Sequence, residues 1–299
     1  MKKILTILII MMVVSMETSA KKAIIDKKSI VKELPTGEGS FIYDDYKPFA
    51  TKPIKVWYYN PANQPNARVL FVMHGNGRGA KGYFTSMLQY AKKYKLLLVV
   101  PEFDAEQFPS RDYHLGGIFD KNNRLQNKED WTFSMIEPLF DYMKKNTGNK
   151  SDGYLLYGFS AGSQFVHRFL MFNPDNRVIR AISGSAGTYT MPNYSVAYAY
   201  GLKNTDLPVN NLSKFYAKNF MVVVGDADTV LSRPDLIKTP EANQQGRDRV
   251  ERGQNFFNNS KAFAEQHKTP FNWKFALVPH VGHAQGEMAG PVAKFLFEE

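Results

Sequence analysis

The sequence contains no cysteine, which excludes disulfides, lipid attachment through a cysteine and a thiol nucleophile. A long hydrophobic run is also missing, because the apolar stretch from Ile4 to Val14 is far shorter than the roughly 20 residues of a membrane span. Basic blocks are absent as well: the formal net charge is +10, yet lysines and arginines are spread along the chain. We therefore expect a solvated basic surface, with some attraction to anionic substrates or cell envelopes, and no nucleic-acid partner.

The N-terminal residues have the pattern of a secretory signal peptide. Two lysines precede the short apolar run, and small residues up to Ala20 follow it. This pattern predicts a signal peptide over residues 1–20, cleavage after Ala20, and a secreted or periplasmic protein without stable membrane insertion. Residues 21–40 are polar and are interpreted as a loosely attached lead-in. Residues 41–299 have a length typical of one α/β domain.

Apolar strands and amphipathic helices alternate along this domain. Strands are expected near 41–44, 53–59, 68–73, 96–100, before Gly158, and near 178–183, 221–224 and 273–278. Helices are expected near 82–94, 131–145, after Gly162, near 248–267 and at the C-terminus. The alternation predicts an α/β fold in which a mostly parallel, twisted sheet is covered by helices on both faces. Two long connections, 102–130 and 184–218, interrupt the alternation of strands and helices. Connections of this length are usually functional.

A nucleophile motif follows one of these strands. Residues 158–162 read Gly-Phe-Ser-Ala-Gly, directly after an apolar strand and directly before a helical segment. A strained turn of this kind exposes a serine hydroxyl, and the flanking glycines leave room for the neighbouring strand and helix. Ser160 is therefore the candidate nucleophile.

A serine hydroxyl needs a base, and the base needs an orienting acid. Two acids, Asp226 and Asp228, follow the strand that ends near Val224, and two histidines, His280 and His283, follow the last strand. The residues alone leave both choices open. In either case the members lie at the carboxyl ends of strands, where open α/β sheets hold their sites.

A glycine-rich loop over residues 74–79, His-Gly-Asn-Gly-Arg-Gly, follows an earlier strand. Its backbone N–H groups can stabilise an oxyanion. A phosphate-binding loop is disfavoured, because neither a following Gly-Lys-Ser/Thr nor the Gly-x-Gly-x-x-Gly spacing is present.

With these motifs in this order, the chain from about Lys52 to the C-terminus resembles the α/β-hydrolase superfamily. Within it, the chain is most similar to secreted esterases related to polyhydroxyalkanoate depolymerases and feruloyl esterases, although Ser163 stands where those esterases usually carry a second glycine. The resemblance implies a three-layer α/β-hydrolase fold. It also implies site roles, namely Asp228 as the acid, His283 as the base, and backbone N–H groups of Ala161 and Asn76 as the oxyanion hole, with Gly77 as a fallback donor. On this interpretation Asp226 and His280 support their loops, His74 braces the glycine-rich loop, and no cofactor is needed.

The function predicted from these features is a secreted serine hydrolase that cleaves small or polymeric carboxylic esters through an acyl-enzyme. A serine peptidase, an acyltransferase on the same fold and a non-catalytic binding protein are the alternatives. Tyr113 and Tyr189, in the two long connections, and Gly77 are candidates for contacting substrate, although the tyrosines could equally cover the core. Short-chain esters are expected, because nothing resembles a long apolar lid.

Two further features are expected to carry no chemistry. The His-x-x-His spacing at 280–283 lacks the glutamate of a metalloprotease motif, so no metal site is predicted. Arg247, Arg249 and Arg252 are expected to make surface ion pairs.

Overall fold

The computed structural model of the protein describes residues 33–298, so the predicted signal peptide lies outside the described residues. Within this range eight strands form one sheet in the order β1-β2-β4-β3-β5-β6-β7-β8. The strands are β1 (Gly37–Tyr43), β2 (Ile54–Asn60), β3 (Val69–Met73), β4 (Leu97–Glu102), β5 (Tyr154–Phe159), β6 (Val178–Gly184), β7 (Phe220–Gly225) and β8 (Trp273–Val278).

The sheet is mostly parallel. Strand β1 pairs antiparallel with β2, and β2 pairs antiparallel with β4. All other neighbours, from β4 through β3, β5, β6 and β7 to β8, run parallel. Every residue of β3 and β5 is buried, as expected for parallel strands that are covered on both faces.

Helices cover both faces of the sheet. They are α1 (Ala80–Lys93), α2 (Ser110–Tyr113), α3 (Ile136–Thr147), α4 (Ala161–Phe172), α5 (Val209–Tyr216), α6 (Pro240–Gln245), α7 (Arg249–Gln266) and α8 (Gln285–Phe297). Between residues 33 and 298, short 3-10 helices also span Lys47–Phe49, Lys128–Asp130 and Thr132–Met135. Alternate residues of β3 belong to two separate apolar clusters: Val69 and Phe71 to one, and Leu70 and Val72 to the other. The architecture therefore has three layers, which confirms the predicted fold class.

Some elements were not expected from the sequence. Strand β1 begins at Gly37, before the expected 41–44, because it is an edge strand whose exposed polar residues give no continuous apolar signal. The two long connections contain the short helices α2 and α5. Helix α5 buries Leu212, Phe215 and Tyr216, so this part of the second connection is core rather than free loop.

No helix among residues 33–298 combines the length and the apolar composition that crossing a membrane requires.

Candidate active site

Ser160 occupies a strained turn between β5 and α4. Its backbone has φ 58° and ψ −114°, a region that side-chain-bearing residues rarely adopt and that is kept only where the surroundings enforce it. The Ser160 N–H donates to the carbonyl of Gly184 at the end of β6, at 2.8 Å. The turn is thereby fixed to the neighbouring strand, and the Ser160 side chain remains partly exposed.

The two glycines of the motif are required by packing. A Cβ on Gly158 would lie 2.1 Å from the carbonyl oxygen of Gly162, and a Cβ on Gly162 would lie 2.0 Å from the carbonyl oxygen of Met73. Both distances are far below van der Waals contact. The second one shows that the first turn of α4 packs directly against the end of β3, where the glycine-rich loop begins.

The structure brings Ser160, His283 and Asp228 into one hydrogen-bonded chain. His283 Nε2 lies 3.0 Å from Ser160 Oγ, and His283 Nδ1 lies 2.7 Å from Asp228 Oδ2. The side chain of Asp228 is 0% exposed and that of His283 is 5% exposed. This is the hydrogen-bonding order in which a base activates a hydroxyl and an acid orients the base.

The two competing residues, Asp226 and His280, are bonded to each other in the loops after β7 and β8. Asp226 Oδ1 accepts a hydrogen bond from the backbone N–H of His280 at 2.7 Å, at a position where His280 has φ 62°. Asp226 therefore ties the loop after β7 to the loop after β8. A Cβ on Gly225 would lie 2.1 Å from the carbonyl oxygen of Val281, so the two loops are in close contact.

Arg249, the first residue of α7, holds the second oxygen of Asp228. Its Nη1 lies 3.3 Å from Asp228 Oδ1, and its Nη2 donates to the carbonyl of Asp235 at 2.9 Å. The Arg249 side chain is 2% exposed. A buried carboxylate needs such compensation, because an unpaired charge in the interior is strongly unfavourable.

The expectation of surface ion pairs in this stretch is therefore wrong for two of its three arginines. Arg247 is exposed and pairs with Glu251, four residues on, but Arg249 and Arg252 are buried. Arg252 donates to the carbonyls of Gly187, Ile237 and Gly246. Burial lowers the pKa of Arg252. No apolar periodicity in this stretch marks the charged positions as interior.

A second carboxylate, that of Asp235, faces the other nitrogen of His283. Asp235 Oδ2 lies 3.8 Å from His283 Nε2, and its side chain is 37% exposed. Arg233 binds both oxygens, with Nε at 2.9 Å from Oδ1 and Nη2 at 3.0 Å from Oδ2. The hydrogen bonds from Arg233 lower the pKa of Asp235 to about 2, despite partial burial, and Arg249 and His283 contribute further. From the sequence, Arg249 is expected at the surface rather than beside the acid, and no role is expected for Asp235.

The glycine-rich loop is braced from behind by His74. The backbone N–H of Phe103 donates to His74 Nε2 at 3.0 Å, and His74 Nδ1 lies 3.0 Å from the carbonyl of Gly75. Nδ1 therefore carries the proton in this arrangement. Burial lowers the pKa of His74 to about 4, with only partial compensation from the Gly75 carbonyl. The imidazole is neutral, as its acceptor role requires.

The candidate oxyanion donors lie at the junction of this loop and the elbow. Asn76 and Gly77 are exposed, whereas Ala161 is 1% exposed. Among residues 33–298, no hydrogen-bond partner is found for their backbone N–H groups. Ala161 is the first residue of α4, where helical N–H groups have no acceptor within the helix. These donors are thus available to an incoming oxygen.

The two tyrosines considered for substrate contact are both fully buried. The Tyr113 hydroxyl donates to the carbonyl of His74 at 2.7 Å, and its ring stacks on the His74 imidazole. The ring of Tyr189 stacks on Phe256 at 4.5 Å between centroids, and burial raises its pKa. Both have 0% exposure, so in this conformation neither side chain is open to a substrate. Gly77, in contrast, is accessible, because a Cβ added to it would meet no heavy atom within 4 Å.

A cavity in the described part of the chain is lined by neither residue of the Ser160–His283 pair. It has a volume of about 520 Å³ and is lined mainly by amide and aromatic side chains, including Tyr194, Asn255 and Phe263. Within the described range, no three histidine, aspartate or glutamate side chains are grouped so that they could hold a metal ion.

Solved structures place these features in a known family. Poly(aspartic acid) hydrolase-1 from Sphingomonas sp. KT-1 is 38% identical, with a TM-score of 0.85 over 88% of this chain and 100% of that chain. The poly(3-hydroxybutyrate) depolymerase LpqC from Bordetella parapertussis is 27% identical, with a TM-score of 0.83 over 88% of this chain and 91% of that chain. The chain belongs to the α/β-hydrolase superfamily. No family model matches it, and no curated protein does.

As an α/β hydrolase, the chain also shares its fold with more distant members. The S-formylglutathione hydrolase FrmB from Staphylococcus aureus superposes with a TM-score of 0.59 at 13% identity, over 88% of this chain and 98% of that chain. At this identity the likeness concerns the fold alone. The predicted resemblance to depolymerase-type esterases of this superfamily is confirmed by the two more similar structures, and the chain is a hydrolase of the α/β-hydrolase type.

Proposed function

We propose that this α/β hydrolase is a serine hydrolase that cleaves carboxylic esters through an acyl-enzyme on Ser160. The observation that carries the proposal is the hydrogen-bonded chain from Ser160 Oγ through His283 to Asp228, at 3.0 and 2.7 Å. His283 takes the proton of Ser160 as the hydroxyl attacks the acyl carbon. Asp228, which is buried and held by Arg249, orients the imidazole and stabilises the imidazolium that forms.

The developing oxyanion is stabilised by the backbone N–H groups of Ala161 and Asn76, with Gly77 as the fallback donor. Removing one such donor costs about 2.7–4 kcal/mol of transition-state stabilisation in enzymes of this kind. The packing of the α4 N-terminus against the end of β3 supports this pairing, because it brings the two donor segments side by side. Water then releases the acyl group from Ser160, so the reaction requires no cofactor.

A second candidate reaction is the cleavage of amide bonds in an anionic polymer. Two observations favour it: the 38% identity to poly(aspartic acid) hydrolase-1 and the formal net charge of +10. A basic protein attracts polyanions from solution at low ionic strength. The same serine, histidine and aspartate serve ester and amide substrates alike.

We also propose that the protein is exported, with residues 1–20 removed by signal peptidase. The basic, apolar and small-residue segments before Lys21 support this assignment. N-terminal sequencing of the protein recovered from its native host tests it; an intact N-terminus in the recovered protein would contradict export by this route.

The first experiment combines labelling and turnover. A fluorophosphonate probe should label the wild-type protein and leave Ser160→Ala unlabelled, and labelling of another residue would contradict the nucleophile assignment. Turnover is then measured on aryl esters of increasing acyl length, hydroxybutyrate oligomers, feruloyl esters and poly(aspartic acid). Fastest turnover of short-chain esters supports the ester hydrolase, whereas activity confined to poly(aspartic acid) and lost at high salt supports the second candidate.

A further inference from the structure

The carboxylate of Asp235 has a defined position relative to the reacting nitrogen. Its Oδ2 lies 3.8 Å from His283 Nε2, whereas Ser160 Oγ lies 3.0 Å from the same nitrogen. The longer distance exceeds that of a direct hydrogen bond, and it is short enough for one water molecule to contact both atoms. Ser160 Oγ is thus within hydrogen-bonding distance of His283 Nε2. Asp235 Oδ2 can reach the same nitrogen through one water molecule.

Asp235 is held rigidly and remains charged. Arg233 binds both of its carboxylate oxygens, and Arg249 contacts Oδ1 at 3.4 Å. The pKa of Asp235 is lowered to about 2, so the group is an anion at every pH at which a histidine can act as a base. Its side chain is 37% exposed while that of His283 is 5% exposed. Asp235 is therefore more accessible to solvent than the imidazole that it faces.

We propose that Asp235 positions the water molecule that hydrolyses the acyl-enzyme. This inference rests on the proposed function, since it concerns the second half of that reaction. One proton of the water is directed at His283 Nε2, and the other is donated to Asp235 Oδ2. The water oxygen, fixed at two points, attacks the acyl carbon.

The proton and bond changes of this step balance without any further reactant. A bond forms between the water oxygen and the acyl carbon as His283 Nε2 takes one proton. The bond between Ser160 Oγ and the acyl carbon then breaks, and His283 returns the proton to Ser160 Oγ. The second water proton leaves with the carboxylic acid product. Asp235 accepts a hydrogen bond throughout and takes no proton.

This role predicts a larger effect on deacylation than on acylation. During acylation by an activated aryl ester, His283 contacts Ser160 directly and the phenolate leaves without needing a proton, so no positioned water is involved. In Asp235→Asn the anionic acceptor becomes a neutral one, and hydrogen bonds to charged groups are about twice as strong as neutral ones. We expect deacylation to slow about 10-fold. Acylation should slow less, because it loses only the charge that lies 3.8 Å from His283 Nε2. Where deacylation limits turnover, kcat and KM then fall together.

The test measures the two steps separately on p-nitrophenyl acetate. Acylation is followed as the release of nitrophenolate in the first turnover. Deacylation is followed by intact mass, as the loss of the acetyl adduct after a brief pulse of ester and its rapid removal. Asp235→Glu, which keeps the charge, should recover part of the deacylation rate.

Arg233→Gln is the matched control. It removes the arginine that pairs with Asp235 but leaves the Asp235 carboxylate, which Arg249 still contacts. If Asp235 serves only to pair with Arg233, both variants will slow both steps equally, and the inference is overturned. It is also overturned if the adduct decays in Asp235→Asn at the wild-type rate. If the acetyl group in the wild-type protein were attached to a residue other than Ser160, the proposed function itself would be contradicted.

Discussion

The two sides of Ser160 differ in the groups that they present to it. On one side, the loops after β7 and β8 and the start of α7 present charged side chains. Asp228 and Arg249 are almost completely buried and compensate each other beside His283. On the other side, the loop after β3 presents backbone N–H groups, and Asn76 and Gly77 are exposed. The difference shows where each side is sensitive. Changes to side chains should matter most on the first, and changes to the residues behind the loop should matter most on the second.

The second side is supported by stacked rings and by hydrogen bonds to backbone groups. His74 is neutral and stacks with Tyr113 at 4.5 Å between ring centroids, and its two nitrogens bond backbone groups of Phe103 and Gly75. Arg78 adds its guanidinium over the Tyr113 ring at 4.5 Å and donates to two carbonyls. The loop is therefore held by stacking and by backbone hydrogen bonds rather than by ion pairs.

The largest effect is expected from neutralising the acid on the charged side. Asp228→Asn should lower kcat by about 10⁴-fold, because the amide favours the wrong tautomer of His283. Asp226→Asn is the matched variant two residues away, and it should mainly lower stability, because Asp226 accepts the His280 N–H rather than touching His283. Both kcat values are measured at equal concentrations of folded protein. A near wild-type kcat in Asp228→Asn would move the acid role to Asp226 or another carboxylate.

The next effect concerns the buried cation of the same side. Arg249→Met leaves the Asp228 carboxylate buried without its guanidinium, and breaking a buried pair in this way costs about 3–5 kcal/mol of folding free energy. Arg247→Met, two residues earlier on the exposed surface, should stay close to wild type, because exposed ion pairs contribute little. Urea unfolding of the two variants provides the comparison. Equal midpoints would show that burial of Arg249 does not matter for stability.

A smaller effect on stability is expected from His74, the neutral histidine behind the glycine-rich loop. It depends on pH and arises from burial of a neutral group rather than of an ion pair. Because the pKa of His74 is lowered to about 4 in the folded protein, the unfolded chain binds more protons between about pH 6.5 and pH 4. Stability from this group is complete above about pH 6.5 and is lost as the pH falls toward the folded pKa. Between about pH 6.5 and pH 5 the loss is about 2 kcal/mol.

Urea unfolding near pH 7 and near pH 5 measures this loss. The variant His74→Asn, which cannot titrate in this range, should be less stable overall but should show a smaller difference between the two pH values. His114, whose pKa burial lowers to about 3, contributes a slope that both proteins retain. An unchanged slope in His74→Asn would contradict the buried, neutral state of His74.

The same contrast explains what the sequence could and could not reveal. The elbow and most of the strands were predictable, and so was the place of the acid and the base, because the candidates follow apolar strands at their carboxyl ends. The choice of Asp228 over Asp226 and of His283 over His280 came from the resemblance to depolymerase-type esterases. Arg249 and Asp235 were not predictable, since they lie on a helix start and in a loop, and only the folded chain brings them to Asp228 and His283. The burial of Tyr113 and Tyr189 could not be predicted either, because the sequence does not show whether a loop tyrosine faces the substrate or the core.

The smallest effect is expected from the side chain of Asn76, although this residue is a candidate oxyanion donor. The proposed donor is its backbone N–H, whereas the side chain is exposed. Asn76→Ala should therefore change kcat by less than about 3-fold, whereas losing a true donor costs about 10² to 10³-fold. Asn76→Pro, which removes the N–H itself, should show that larger loss. If Asn76→Ala lost as much as Asn76→Pro, the side-chain amide would be the donor; if Asn76→Pro kept its activity, the role would pass to Gly77.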